Sequence, residues 1–192
     1  MKNKAFKHFK LITTHKAYVF RNCVKAGLIW RGVKHDMSKY SPVEFLESVR
    51  YFTGDKSPID NCKKAKGWSK AWMHHKGRNT HHYEYWQDNF DHGGVPLQMP
   101  YEDAVEMICD YIAAGQAYMK KDFSYEAEYE WWLNKKANGI AMHPKTLQFV
   151  DLMMRVMKRD NDNGVLFPQR AKHLYHEVQE GRYENILHRW GL

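Results

Sequence analysis

Cysteine is scarce in this chain of 192 residues. The three cysteines, Cys23, Cys62 and Cys109, lie far apart, form no C-x-x-C pair and are odd in number. Secreted disulfide-rich domains carry even sets of cysteines, whereas cytosolic proteins keep their thiols reduced. The sequence therefore excludes a disulfide framework and predicts free thiols in a cytoplasmic protein.

Long apolar runs are also absent. Lys7, His8, Lys10 and Lys16 interrupt the N-terminal segment, so we expect no secretory signal peptide there. No segment approaches the ~20 apolar residues that cross a bilayer. The sequence therefore predicts a protein without a membrane partner.

Acidic residues are outnumbered by basic ones. The chain has 22 Asp and Glu against 30 Lys and Arg, which gives a formal charge of +8 with neutral histidines. This balance favours anionic partners such as nucleotides, other phosphorylated metabolites or nucleic acid. A surface of solvated lysines explains the same charge more simply, so charge alone assigns no function.

No segment alternates apolar and polar residues as a half-buried strand does. Apolar residues instead recur three and four positions apart, which predicts amphipathic helices. Ser41-Pro42-Val43-Glu44 has the pattern of a capping box, in which Glu44 is the capping acid rather than a catalytic group. The predicted helices cover residues 5–26, 28–39, 42–52, 68–75, a segment after Asn79 that carries His81 and His82, 100–121, 124–136, 144–158, 169–179 and 182–190.

These helices and a hydrophobic fraction of 43% predict an all-α, single-domain helical bundle. We expect one domain over residues 1–192. Residues 5–121 would hold the functional core, and residues 122–192 would add the C-terminal helices.

Histidine and aspartate follow an order typical of a metal site. The series, in chain order, is His15, His35-Asp36, His74-His75, His81-His82 and Asp110. Imidazole nitrogens and carboxylate oxygens are ligands of first-row divalent metals, and one carboxylate can bridge two ions. Four histidines within nine positions form a density that favours metal binding over a solvent-exposed face.

Each member of the series also has a simpler interpretation. His15 lies at the edge of an apolar stripe, where a lone histidine is usually a boundary residue. Asp110 could pair with a lysine. Adjacent side chains on a helix diverge by about 100°, so His35 and Asp36 would share a site only at its rim or around two ions. The histidine doublets could contact phosphate with Lys76 and Arg78.

The same residues resemble the HD superfamily of metal-dependent phosphohydrolases. The segment from His35 to Lys39 is similar to the H-D-x-x-K block of that superfamily, and residues 109–114 are similar to the segment around its final aspartate. More closely, residues 35–45, 71–86 and 99–114, with a weaker echo at 142–144, resemble an uncharacterised HD-like family often labelled "catalase". No haem-binding motif supports that label.

The resemblance implies an HD-type helical domain around one or two divalent ions, with Mn, Fe, Zn, Co, Ni and Mg all acceptable. Asp36 would bridge the ions, and a metal-activated hydroxide would attack phosphorus. Asp36 and Lys39 are the expected catalytic residues, and Lys39, Lys76 and Arg78 are the expected substrate contacts. The expected ligands are His15, His35, Asp36, His75, His82 and Asp110, with His74 and His81 as second choices.

The resulting hypothesis is a metal-dependent phosphohydrolase of a nucleotide or another small phosphate ester. One alternative is an HD-type diiron oxygenase, because histidine-rich ligation suits iron. The other alternative is a nucleic-acid-binding protein with a vestigial metal site, which the positive net charge supports. Lysines between residues 63 and 78 interleave with Trp68 and Trp72, and the favoured interpretation is a solvated basic face with both tryptophans in the core. The oligomeric state is not specified.

Overall fold

A computed structural model describes residues 2–192 and confirms an all-α fold. The ten α-helices in that range are α1 Lys2–Lys25, α2 Ile29–Lys34, α3 Pro42–Tyr51, α4 Pro58–Lys66, α5 Lys70–Lys76, α6 Tyr101–Met119, α7 Tyr125–Ala137, α8 Pro144–Asp160, α9 Pro168–Gln179 and α10 Tyr183–Trp190. Two-residue strands, β1 Gln87–Asp88 and β2 Val95–Pro96, pair antiparallel. No helix in the described range is long and apolar enough to cross a membrane.

Helix α6 lies at the centre of the molecule, where it packs against α1, α8 and α9. Its residues from Asp103 to Asp110 are all buried, as expected for a helix that is covered on every side. The side chains of α8 and α9 continue the same hydrophobic core, and all three cysteines are buried and free. The fold therefore brings three acids of α6, Asp103, Glu106 and Asp110, into the interior.

The segment predicted as one helix over residues 28–39 is broken. Helix α2 ends at Lys34, His35 leaves the helical conformation with ψ 127°, and Asp36 is left-handed with φ 53° before a 3₁₀ turn at Met37–Tyr40. Lys16 Nζ donates hydrogen bonds to the carbonyl oxygens of Val33, at 2.7 Å, and His35, at 2.6 Å. These bonds satisfy carbonyls that the helix break frees, and aspartate tolerates the left-handed region better than most residues.

The predicted helix carrying His81 and His82 is also wrong. Both residues lie in a turn, followed by a 3₁₀ turn at Tyr83–Tyr85. Asn79 does not begin a helix: its Nδ2 donates to the carbonyl oxygen of His75, at 2.7 Å, and so caps the C-terminal end of α5.

Helix α4 was not predicted from the apolar pattern. Proline at its first position and the left-handed Gly67 after it mark its ends. Only Pro58 and Cys62 of this helix are buried, so its apolar stripe is too narrow to recognise. The expectation that both tryptophans lie in the core is wrong as well: Trp68 is exposed and Trp72 is only half-buried, under Lys63.

Candidate metal centre

The break after α2 turns His35 and Asp36 into one buried cluster. His35 Nε2 lies 3.1 Å from Asp36 Oδ2, and both residues are 2% exposed. On a continuous helix these neighbouring side chains would point about 100° apart. The left-handed backbone at Asp36 therefore produces the local geometry that the sequence could not specify.

A first donor set gathers around Asp36 Oδ2. It consists of His15 from α1, His35, Asp36 and Asp110 from α6, whose ligand atoms lie within 4.8 Å of one another. His15 Nε2 is 2.9 Å and His35 Nε2 is 3.3 Å from Asp110 Oδ1. Two imidazoles and two carboxylates at this spacing form a suitable set for a divalent ion.

A second donor set gathers around the other oxygen of the same carboxylate. It consists of Asp36, His75, His81 and His82. Asp36 Oδ1 is 3.2 Å from His75 Nε2 and 3.4 Å from His81 Nε2, and His75 Nε2 is 2.9 Å from His82 Nε2. Asp36 thus presents one oxygen to each set, which is the arrangement of a bridging ligand.

Buried polar atoms without hydrogen bonds lie at the centre of both sets. Asp36 Oδ1 and the Nε2 atoms of His15, His35 and His81 have no hydrogen-bond partner, and Asp36 Oδ2 has only its ion pair with Lys39. Burying such polar atoms unsatisfied costs about 1–3 kcal/mol each, and a cation in each donor set would satisfy them. The residues therefore fit one or two metal ions.

Two glutamates contact the Nδ1 atoms of the imidazole rings, on the side away from Asp36. Glu106 Oε1 is 2.9 Å from His35 Nδ1 and 3.3 Å from His81 Nδ1. Glu44 Oε2 is 2.8 Å from His75 Nδ1, and Glu44 Oε1 is 2.6 Å from His74 Nδ1. A carboxylate on Nδ1 fixes the tautomer and aims Nε2 at the metal.

Glu44 therefore does more than cap α3, which is the one role that the sequence predicted for it. Its backbone amide donates to Ser41 Oγ at 3.5 Å, so the cap exists, but its carboxylate holds two histidines. Glu106 was missed altogether. Its sequence signal is its position four residues before Asp110, which places both acids on one face of α6.

Lys39 contacts Asp36 and also lines the cavity beside the donor sets. Its Nζ is 2.5 Å from Asp36 Oδ2. Burial opposes the charge on Lys39, but the carboxylates of Asp36 and Asp110 raise its pKa above the ordinary lysine value. Burial likewise opposes ionisation of Asp36, yet His35 and Lys39 hold the pKa of its carboxyl well below the usual range. Lys39 is therefore a fixed positive charge beside the cluster.

Within each donor set the pKa values of the histidines shift in opposite directions. Burial opposes the charge of His35 and His75, but the carboxylate of Asp36 raises the pKa of both. Burial, together with the positive charge of Lys39, lowers the pKa of His15. Burial and its neighbours His81 and His75 hold the pKa of His82 well below the usual value. These two imidazoles are neutral and so already have the form that binds a metal ion.

Most of the expected ligands lie close together, but the two histidine doublets differ in how their members are placed. His75, His81 and His82 all belong to the second set, so His81 joins the favoured pair instead of replacing either member. His74 points to Glu44 and belongs to neither set. The two members of the first doublet therefore lie apart, whereas both members of the second belong to the same donor set.

A cavity of about 190 Å³ opens beside the cluster. Its lining includes Lys39 and four members of the donor sets: His15, Asp110, His75 and His82. The other expected substrate contacts, Lys76 and Arg78, do not line this cavity. Arg78 lines a separate depression, together with Trp30, Arg31, Lys34 and His35. Lys39 is therefore the expected phosphate contact that the fold brings to the cavity.

A model of a family of unknown function (DUF5662) matches residues 4–156. No curated protein and no solved structure matches the chain. The matched range includes every member of both donor sets, together with Glu44, Glu106 and Lys39.

Proposed function

The chain belongs to the DUF5662 family, and we propose that it is a metal-dependent phosphohydrolase acting on a nucleotide or another small phosphate ester. The observation that carries the proposal is the position of Asp36. Its two carboxylate oxygens face two separate donor sets, and a cavity that contains Lys39 opens on both. Bound divalent ions would supply a lowered water pKa and charge stabilisation for phosphoryl oxygens.

The residues of the chain have distinct tasks in this proposal. Glu106 and Glu44 keep the Nε2 atoms of His35, His81 and His75 directed inward. Lys39, held by Asp36, places a positive charge where a phosphate in the cavity would lie. Phosphoryl transfer depends mainly on such positioning and charge stabilisation.

The test combines elemental analysis of the purified protein with a screen of phosphomonoesters and phosphodiesters. We expect one or two divalent ions per chain and metal-dependent release of phosphate or alcohol. A protein that binds no metal contradicts the proposal. So does a metal-loaded protein that turns over no phosphate ester but binds nucleic acid in a steeply salt-dependent way.

A diiron oxygenase is the second candidate, and one observation favours it. Five imidazoles, from His15, His35, His75, His81 and His82, surround a single bridging carboxylate. Histidine-rich ligation of this kind suits iron. Redox-active iron in the protein as isolated, seen by EPR spectroscopy, together with oxygen consumption would favour this candidate over hydrolysis.

A further inference from the structure

Outside the donor sets and Lys39, the cavity lining combines apolar and polar side chains. Leu11, Ile12, Pro58, Ile59, Trp72 and Ala114 supply apolar surface, and His8, Ser48, Ser57 and Tyr118 supply neutral polar groups. A molecule with its phosphate at Lys39 would therefore place its alcohol part against apolar surface that includes neutral hydrogen-bonding groups.

Among the lining residues outside the donor sets, His8 is the polar residue with a buried atom that lacks a hydrogen-bond partner. It lies seven residues before His15 on α1, which is two helical turns away on the same face. The side chain is 4% exposed, and its Nδ1 atom has no hydrogen-bond partner. Its ring packs against Phe45 and Phe52, with centroids 5.3 Å away in each case. The ring is fixed by packing, while one of its nitrogens is left unsatisfied.

The imidazole of His8 is uncharged. Burial and the positive charge of Lys39 lower its pKa to about 4. A neutral imidazole offers one donor and one acceptor, so its natural partner is an uncharged hydroxyl group rather than a second phosphate.

The size of the cavity limits the alcohol part. Its volume of about 190 Å³ is below the ~300–1,000 Å³ of pockets for larger ligands and cofactors. Ser57, Ile59, Trp72 and His82 separate it from a neighbouring depression lined by Lys63, Tyr83 and Lys135. A base and ribose attached to the phosphate would have to displace this wall.

We propose that the substrate is a phosphate monoester of a short, hydroxylated alcohol rather than a nucleotide, and that His8 selects it by a hydrogen bond to the hydroxyl group. This inference rests on the proposed phosphohydrolase function. It assigns His8 to substrate recognition, whereas the metal ligands and Lys39 act on the phosphate.

The test compares three probes on the metal-loaded full-length protein: glycerol phosphate, propyl phosphate and AMP. Propyl phosphate matches glycerol phosphate in chain length but lacks its free hydroxyl groups. We expect kcat/KM to be highest for glycerol phosphate. His8→Leu should lower the ratio of kcat/KM for glycerol phosphate over propyl phosphate by about five- to tenfold, as expected for one lost hydrogen bond.

Two further variants separate recognition from folding. His8→Asn keeps a donor and an acceptor and should restore part of the ratio, while His188→Leu, at an exposed position of α10, is a matched control that should leave it unchanged. Metal content and thermal unfolding confirm that each variant is folded.

The outcomes distinguish this inference from the proposed function. Preferential turnover of AMP, or an unchanged ratio in a folded His8→Leu variant, overturns the assignment of substrate class and leaves a phosphohydrolase. Turnover of none of a wide panel of phosphate esters overturns both.

Discussion

His35 Nδ1 lies 2.9 Å from Glu106 Oε1, and this contact decides which nitrogen of His35 faces the first donor set. Glu106 also accepts a hydrogen bond from Arg31 Nε at 2.7 Å, so its carboxylate is fixed from the other side. Burial opposes its ionisation, but hydrogen bonds from His35 and His81 lower the pKa of Glu106 to about 2. An ionised glutamate thus orients one imidazole of each donor set.

We therefore expect Glu106→Gln to weaken metal binding by about 10- to 100-fold without removing a ligand, as is typical when a group that orients a ligand is lost. Glu102→Gln is the matched control, because Glu102 lies one turn away on α6, approaches the same Arg31 and has an exposed side chain. Metal titration of both variants measures the difference. Equal affinities would contradict the orienting role of Glu106.

Replacement of the shared carboxylate should remove more metal than replacement of any other ligand. We expect Asp36→Ala to lose both ions, whereas Asp110→Ala keeps the ion of the histidine-rich set. Loss of metal should also lower the thermal unfolding temperature, since a bound ion stabilises the folded state. Elemental analysis beside calorimetry tests this, with the exposed Asp91→Ala as control. Unchanged metal content in Asp36→Ala would rule out the site.

Lys39 should matter for turnover but not for metal retention. Its positive charge lies 2.5 Å from a ligand oxygen, so its removal does not weaken the attraction of that oxygen for a cation. We expect Lys39→Ala to keep its metal and to lose at least about tenfold in turnover of a phosphate ester, comparable to the loss of one charge-assisted hydrogen bond. The exposed Lys70→Ala serves as the control. Loss of metal in Lys39→Ala would indicate a structural role instead.

Alanine substitutions should divide the histidine doublets unevenly. We expect His75→Ala, His81→Ala and His82→Ala each to weaken the second ion, and His74→Ala to have a small effect because His74 belongs to neither donor set. The first ion should persist in all four, because His15, His35, Asp36 and Asp110 still hold it. Metal stoichiometry per chain measures this pattern, and equal, mild effects across the four variants would mean that this cluster binds no second ion.

Glu128 should make the stability of the protein depend on pH. Burial in α7, together with the charge of Asp110, raises the pKa of Glu128 to about 8. The folded state therefore holds a proton that the unfolded state releases near pH 4.5, so this contribution favours folding at low pH and is lost as the pH rises toward 8. Glutamine stays uncharged at every pH, so Glu128→Gln should not lose this stability. We expect the free energy of unfolding of the variant, relative to that of the natural protein, to be higher at pH 8 than at pH 5 by about 1 kcal/mol or more.

Denaturant unfolding at the two pH values checks this prediction, with the exposed Glu126→Gln on the same helix as control. An equal effect of Glu128→Gln at both pH values would show that Glu128 ionises normally in the folded protein.

The sequence was sufficient for the elements whose signals are local. Apolar spacing identified α1, α6 and α8, and the Ser41-Pro42 cap identified the start of α3, because these patterns depend on residues within one or two turns. Most residues of the two donor sets were likewise recognisable as candidates, because imidazoles and carboxylates are dense in that part of the sequence. The narrow apolar stripe of α4 gave no comparable signal.

Only the tertiary structure decided how those residues meet. The left-handed turn at Asp36 depends on Lys16, nineteen positions before His35 in sequence, whose ammonium group satisfies the freed carbonyls. The glutamates behind the imidazoles come from α3 and α6, and their contacts are set by helix packing rather than by spacing along the chain. Composition and short-range pattern thus determined the all-α fold and the donor types. The pairing of donors, the bridging position of Asp36 and the place of His8 in the cavity arise from contacts between distant segments, which no local pattern encodes.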